Sequence, residues 1–232
     1  MHGDAKWERL GAATGILFVV LLMVSIFMVP QTPDVNAAPG VIASYYSDHR
    51  NAVLASAYLG GLAIPVFLWF LGSLFQALRR AEGEHARLSI VCLAGGIATA
   101  TFALGMAIFA ATLAWGSALQ ADGGAVRALF LLSSMSVQFI YFAMVAFVLA
   151  GSVLMIRTGV ISRWIGEAGV VFAAVMLVGA ASLAPSGAFQ LNGGLTFAGL
   201  LAFALWVLSV SVRMVMLAWP RRAAVGAAPV AR

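Results

Sequence analysis

Between Arg127 and Arg157 the chain reads ALFLLSSMSVQFIYFAMVAFVLAGSVLMI, residues 128–156, without one charged side chain. About 20 predominantly apolar residues are enough for a helix to cross the hydrocarbon core of a bilayer. The stretch lacks the strict alternation of a membrane β-strand. Lipid offers nothing to bond an unpaired backbone N–H or C=O, so an uncharged run of this length reads as a membrane-spanning helix.

The same pattern recurs on both sides of it. Six spans are expected: residues 10–29, stopping at Pro30; 51–78, before Arg79 and Arg80; 88–115; 127–156; 165–184, stopping at Pro185; and 194–217. The second, third and fourth exceed the length of a simple crossing, so they tilt or project beyond the lipid. A cleaved signal peptide is the competing reading of the first run, with Lys6 and Arg9 as its charged region. The run is about 20 residues, beyond the 7–15 of a signal-peptide core, which favours an uncleaved helix. Residues 1–220 then form one transmembrane domain, and 221–232 a disordered tail.

Composition agrees. The 232 residues are 63% hydrophobic and 9% charged, against about 45–50% and about 25% in a soluble domain. The net charge of +5 does not indicate nucleic acid, because the cations stand in short clusters between apolar runs. Sorted by six alternating connections, Lys6, Arg9, Arg79, Arg80, Arg87, Arg157, Arg163, Arg213, Arg221, Arg222 and Arg232 fall on one side, and only Arg50 and Arg127 on the other. Positive charge marks the cytoplasmic side, so both termini are expected there.

Helices in lipid associate through close packing at small residues. Gly11 with Gly15, Gly95 and Gly96, the Ala103-Ala107-Ala111 stripe, and Gly194 with Ala198 and Ala202 are the expected contacts. Pro65 is expected to bend the second span. The first external loop contains Pro30, Pro33 and Pro39. Within it, Gly40 to Ser47 reads as a short amphipathic helix, its tyrosines at headgroup depth and Pro39 in its first turn. Trp7, Trp115, Trp164 and Trp219 fall near span ends, as interfacial anchors do.

Chemistry-bearing residues are sparse. Ionisable groups in mid-membrane usually mark ion or substrate paths, and all eight carboxylates fall in loops or at span ends. Glu167 stands at a helix start, where its charge suits the dipole. The lone Cys92 permits no internal disulfide. His2, His49 and His85 lie in polar segments, which argues against a two-histidine haem site. No zinc-protease motif is present. No cofactor, metal or catalytic residue is therefore assigned.

The one dense polar cluster is Tyr45-Tyr46-Ser47-Asp48-His49-Arg50-Asn51, at the outer mouth of the second span. Ser47 or Asp48 suits a helix cap, and Arg50 suits a headgroup phosphate or a pairing with Asp48 or Asp122. Tyr58 lies two turns deeper. Ser134, Gln138 and Tyr141 share one face of the fourth span by i, i+4, i+7 spacing. These deeper residues either line a cavity below the cluster or bond one helix to another. Tyr45, Asp48, His49, Arg50, Tyr58, Gln138 and Tyr141 are the candidate ligand-binding residues.

Tyr45-Tyr46 with Asp48-His49-Arg50, then Phe67-Leu68-Trp69-Phe70-Leu71-Gly72 with Leu78-Arg79, and later Arg157-Thr158-Gly159 with Arg163-Trp164 resemble a broad group of uncharacterised multi-pass membrane proteins of actinobacteria. The resemblance implies a compact helical bundle in the plasma membrane and carries no activity with it. The reading the residues favour is a non-enzymatic membrane protein binding a partner or an apolar, lipid-like ligand through the outer cluster. Membrane lipids, an apolar small molecule or a second copy of the chain are the partners considered. One alternative is an enzyme acting on a lipid-soluble substrate with His49 as base and Asp48 or Arg50 assisting. Another is a small permease or channel subunit, which requires a polar path between Gln138 and Gln76.

Overall fold

A computed structural model of the protein describes residues 4–84, 86–115 and 123–217, with side chains from Arg9 onward. Seven helices follow in order: α1 (Asp4–Phe27), α2 (Pro39–Asp48), α3 (Arg50–Glu82), α4 (Arg87–Trp115), α5 (Gly123–Thr158), α6 (Arg163–Ala180) and α7 (Gly194–Leu217). All but α2 are long and apolar enough to cross a membrane. The fold is thus the expected all-α bundle of six spans. The 221–232 tail, Asp122, His2, His85 and the side chains of Trp7 and Trp219 lie outside the described residues.

Consecutive spans pack side by side, α1 on α3, α3 on α4, α4 on α5, α5 on α6 and α6 on α7, and α1 also packs on α7. The six therefore close into a ring. Its centre is filled by Phe67 and Phe70 from α3, Phe147 from α5, and Phe203 and Trp206 from α7, all fully buried. The Phe67 and Phe147 rings meet at 5.6 Å, and Phe147 meets Trp206 at 5.1 Å. Edge-on aromatic contacts of this kind add to simple area burial.

The outer surface is the reverse of a soluble protein's. Val20, Trp69, Ile108, Phe142, Val171 and Leu205, one from each span, are exposed among many others. Water-soluble monomers rarely expose apolar patches beyond a few hundred Å². A belt running round every helix calls for lipid as its solvent.

Helix ends depart from expectation at three places. α3 continues past Arg80 to Glu82, and α5 begins at Gly123, before Arg127. α6 ends at Ala180 rather than reaching Pro185. Proline drives the preceding residue out of the α region. Ala184 accordingly turns into a tight loop, its N–H donating to Phe189 O and its carbonyl accepting from Leu191 N. Pro65 sits inside an unbroken α3.

Close contacts confirm Gly11, Gly15, Gly95 and Gly96 as packing positions. A Cβ on Gly15 would strike Phe70 and Ser211, and one on Gly96 would strike Leu71. Gly194 is a correction: its Cβ position is open, and Gly199 makes the tight contact instead, where an added Cβ would stand 2.9 Å from the Tyr141 ring. Gly194 lies where α7 has just emerged from its loop, beyond the reach of α5.

The end opposite the arginine-rich one carries a cap. α2 buries Ile42 and Tyr46 in a second apolar cluster with Val35, Val53, Leu113, Phe130 and Leu191. Asn36 Nδ2 donates to Pro185 O at 3.0 Å, and Gln190 Nε2 donates to Asp34 Oδ2 at 2.6 Å. These bonds tie the α1–α2 loop to the α6–α7 loop. α2 is therefore the expected short helix, but Tyr46 is packed in protein rather than set at headgroup depth.

Candidate functional site

At the corner where α2 meets α3, the chain turns through His49 alone, at φ −105° and ψ 17°. The expected caps are not used: His49 occupies the N-cap position of α3, without a side-chain cap bond. Asp48 is exposed at the end of α2. The turn stacks the Tyr45 and His49 rings, centroids 4.7 Å apart. His49 Nδ1 lies 2.9 Å from Tyr45 O. A carbonyl only accepts, so Nδ1 is the donor in this contact. The Tyr45 hydroxyl donates to Pro30 O at 2.5 Å, fixing the corner to the preceding loop.

Burial raises the Tyr45 phenol above its ordinary pKa. The Tyr46 phenol is pushed up to about 12, first by burial and then by the neighbouring Tyr45. Both remain neutral donors near pH 7 and are poor bases.

Arg50, the first residue of α3, is exposed. Its guanidinium lies over the Trp115 ring at the end of α4, 5.0 Å from the centroid. This cation–π contact orients the charge while leaving its donors open, and among the described residues no carboxylate pairs with it. Trp115 thus holds Arg50 as well as marking a span end.

The remaining candidates separate from this corner. Tyr58 is 69% exposed, on the outside of the bundle. Gln138 and Tyr141 are fully buried in the seam between α5 and α7. Gln138 Nε2 donates to Thr196 Oγ1 at 3.1 Å, and the Tyr141 hydroxyl donates to Thr196 O. One turn closer to the cap, Asn192 Nδ2 donates to Ser134 Oγ at 3.0 Å. Of the two readings open for this face, helix-to-helix bonding is the one realised. Thr196 and Asn192 were not legible as its partners, since neither stands in a polar pattern.

Other polar groups within the bundle act alike. Trp206 Nε1 donates to Ser152 Oγ at 3.0 Å, the Ser211 hydroxyl donates to Ala12 O, and Ser56 Oγ donates to Ser25 O at 2.8 Å. Gln138 Oε1 and Ser182 Oγ are buried without a hydrogen-bond partner among the described residues. Among the described residues no group of three His, Cys, Asp or Glu is placed to hold a metal ion.

The catalytic alternative requires Asp48, His49 and Tyr58 or Tyr141 to converge, because a base must reach its proton. Tyr58 faces outward and the Tyr141 hydroxyl is engaged by Thr196, so that constellation does not assemble. The permease alternative requires a path from Gln138 to Gln76. Gln76 is exposed on α3, and the aromatic core fills the centre of the ring.

Comparison with known proteins returns no match: no protein family, no characterised protein and no solved structure is significantly similar to this chain.

Proposed function

We propose that this is a non-enzymatic, multi-pass protein of the plasma membrane that binds a lipid-like ligand at its outer rim through the α2–α3 corner. The observation carrying this reading is the Arg50 guanidinium, exposed and oriented over Trp115. A cation fixed at the edge of an apolar belt suits an anionic headgroup whose tail stays in lipid. His49, held by Tyr45, precedes Arg50 in the same corner. The positive-inside bias supports the placing of this corner on the external face. The deeper residues Gln138 and Tyr141 contribute by locking α5 to α7.

Thermal unfolding of the detergent-purified protein tests the reading. A ligand present at about 100 times its Kd stabilises the folded state by about 2.7 kcal/mol. A short-chain phosphatidylglycerol is expected to raise Tm where a phosphatidylcholine of equal chain length does not, and Arg50→Gln is expected to remove the difference. An equal rise in Arg50→Gln would eliminate the corner as the binding site.

A further inference from the structure

A second feature lies at the opposite, arginine-rich end and stands independently of the outer corner. α6 and α7 leave a groove of about 120 Å³ between them, lined by Trp164, Ile165, Ala168, Phe172, Leu205 and Ser209. Trp164, Ala168 and Phe172 follow i, i+4, i+8 on α6. Leu205 and Ser209 begin the same series on α7, and its next member is Arg213. Residues so spaced form one stripe along a helix. The groove is thus a furrow between two stripes, and the α7 stripe ends in a cation.

The register of the two helices places that cation. Gly179 of α6 packs against Leu195 and Gly199 of α7. Counting equal steps away from this contact along an antiparallel pair sets Arg213 level with Arg163, just past Trp164. Arg163 is already engaged, its Nε donating to Glu167 Oε1 at 3.0 Å. Arg213 is exposed, and among the described residues no carboxylate pairs with it. Trp164 is 73% exposed beside it. From the Phe172 level to the Trp164 level the furrow runs about 12 Å at 1.5 Å per residue.

Apolar walls with one hydroxyl, followed by an indole and then a free guanidinium, repeat the order of parts in a phospholipid. We propose that this furrow binds an anionic phospholipid of the cytoplasmic leaflet, with an acyl chain along Ala168, Phe172 and Leu205 and the headgroup phosphate at Arg213. A helix of another protein seated there would bury the Arg213 charge, which is costly unless it supplies a paired acid. An anionic lipid supplies the counter-charge and remains wetted at its head.

Quenching of tryptophan fluorescence by lipids with brominated acyl chains reads this site. The full-length chain is reconstituted into phosphatidylcholine vesicles containing a few per cent of brominated phosphatidylglycerol or brominated phosphatidylcholine. The Trp164 component is isolated by difference from Trp164→Phe. One cationic side chain near a membrane surface corresponds to about a fivefold preference for an anionic lipid. The glycerol lipid is therefore expected to quench Trp164 at about one-fifth the mole fraction of the choline lipid. Arg213→Gln is expected to equalise the two, and Ala168→Phe, which fills the furrow, to remove the extra quenching. Arg213 is exposed and Ala168 half-buried, and retention of helical circular dichroism and monodispersity confirms the fold of both variants. Equal quenching by both lipids in the unaltered protein, a preference that survives in Arg213→Gln, or one indifferent to Ala168→Phe overturns the proposal.

Discussion

Replacing Gly95 by alanine isolates the packing that holds the ring together. The added Cβ would stand 2.6 Å from Phe147 N, 3.0 Å from Phe147 Cα and 3.1 Å from Ala143 O, all backbone atoms of α5. Ordinary contact begins at 3.4 Å, so the nearest falls short by 0.8 Å. No side chain can rotate away, and α4 must part from α5. A gap of 0.5–1 Å forfeits about a quarter to a half of each dispersion contact it opens. Overpacking typically costs about 1–3 kcal/mol, and a contact with backbone alone belongs in the upper half of that range. At about 2–4 °C per kcal/mol for a chain of this size, Tm should fall by about 4–12 °C. The control is Gly105→Ala on the same helix, where the Cβ would meet nothing within 4 Å; it should match or exceed the unaltered Tm, since alanine is the better helix former by up to about 1 kcal/mol. Unfolding in detergent, followed by tryptophan emission, measures both. Equal melting of the two variants, whether both unchanged or both lowered, would refute the assignment of Gly95 to the α4–α5 contact.

Two further substitutions test polar groups whose roles differ. Gln138→Leu removes one bond to Thr196 together with the partnerless Oε1; the change in stability should stay within about 1 kcal/mol, as interhelical bonds in such bundles average about 0.6, and a loss beyond about 3 kcal/mol in the same melting assay would mean that Oε1 has a partner of its own. Glu82 accepts hydrogen bonds from the backbone N–H of Leu88 at 2.8 Å and of Ser89 at 2.9 Å, capping α4 from across the turn; Glu82→Ala should cost about 1 kcal/mol, with Glu82→Gln intermediate, and identical melting of all three proteins would deny the cap.

Depth along the membrane normal was legible in the residues, whereas direction around each helix was not. Lipid thickness and the clustering of arginines specify where a span begins and ends, so all six were found with ends displaced by only a few residues. The displacements at Glu82 and Gly123 fall where a helix has left lipid and hydropathy carries no signal. Tyr58 and Tyr141 illustrate the angular problem. Both were placed in the outer half of the bundle, yet Tyr58 faces out and Tyr141 faces the α5–α7 seam. In lipid the outward face of a span is as apolar as the inward one, so hydropathy does not say which way a given side chain points. The exchange of Gly194 for Gly199 has the same origin, because small-residue spacing identifies a stripe without saying which neighbour it meets. The Glu82 cap was illegible for another reason: six residues and a left-handed Ala86, at φ 38°, bring donor and acceptor together.

That division bears on how any ligand reaches this protein. The polar side chains lying at membrane depth are largely committed to neighbouring helices: Tyr141 to Thr196, Trp206 to Ser152, Ser211 to Ala12. Breaking those bonds to admit a polar solute would leave buried donors unpaired, at about 1–3 kcal/mol each. At the end opposite the arginines, bonds among Asn36, Asp34, Pro185 and Gln190 tie two loops together, and the aromatic core fills the ring beneath. Arg50 and Arg213, by contrast, have no carboxylate partner among the described residues; Arg50 lies over the exposed Trp115, and the helix register sets Arg213 level with the exposed Trp164. Both positions open sideways onto the apolar belt rather than into an axial channel. On the proposed reading, a ligand approaches laterally through the bilayer with its head at the rim, as an amphiphile does.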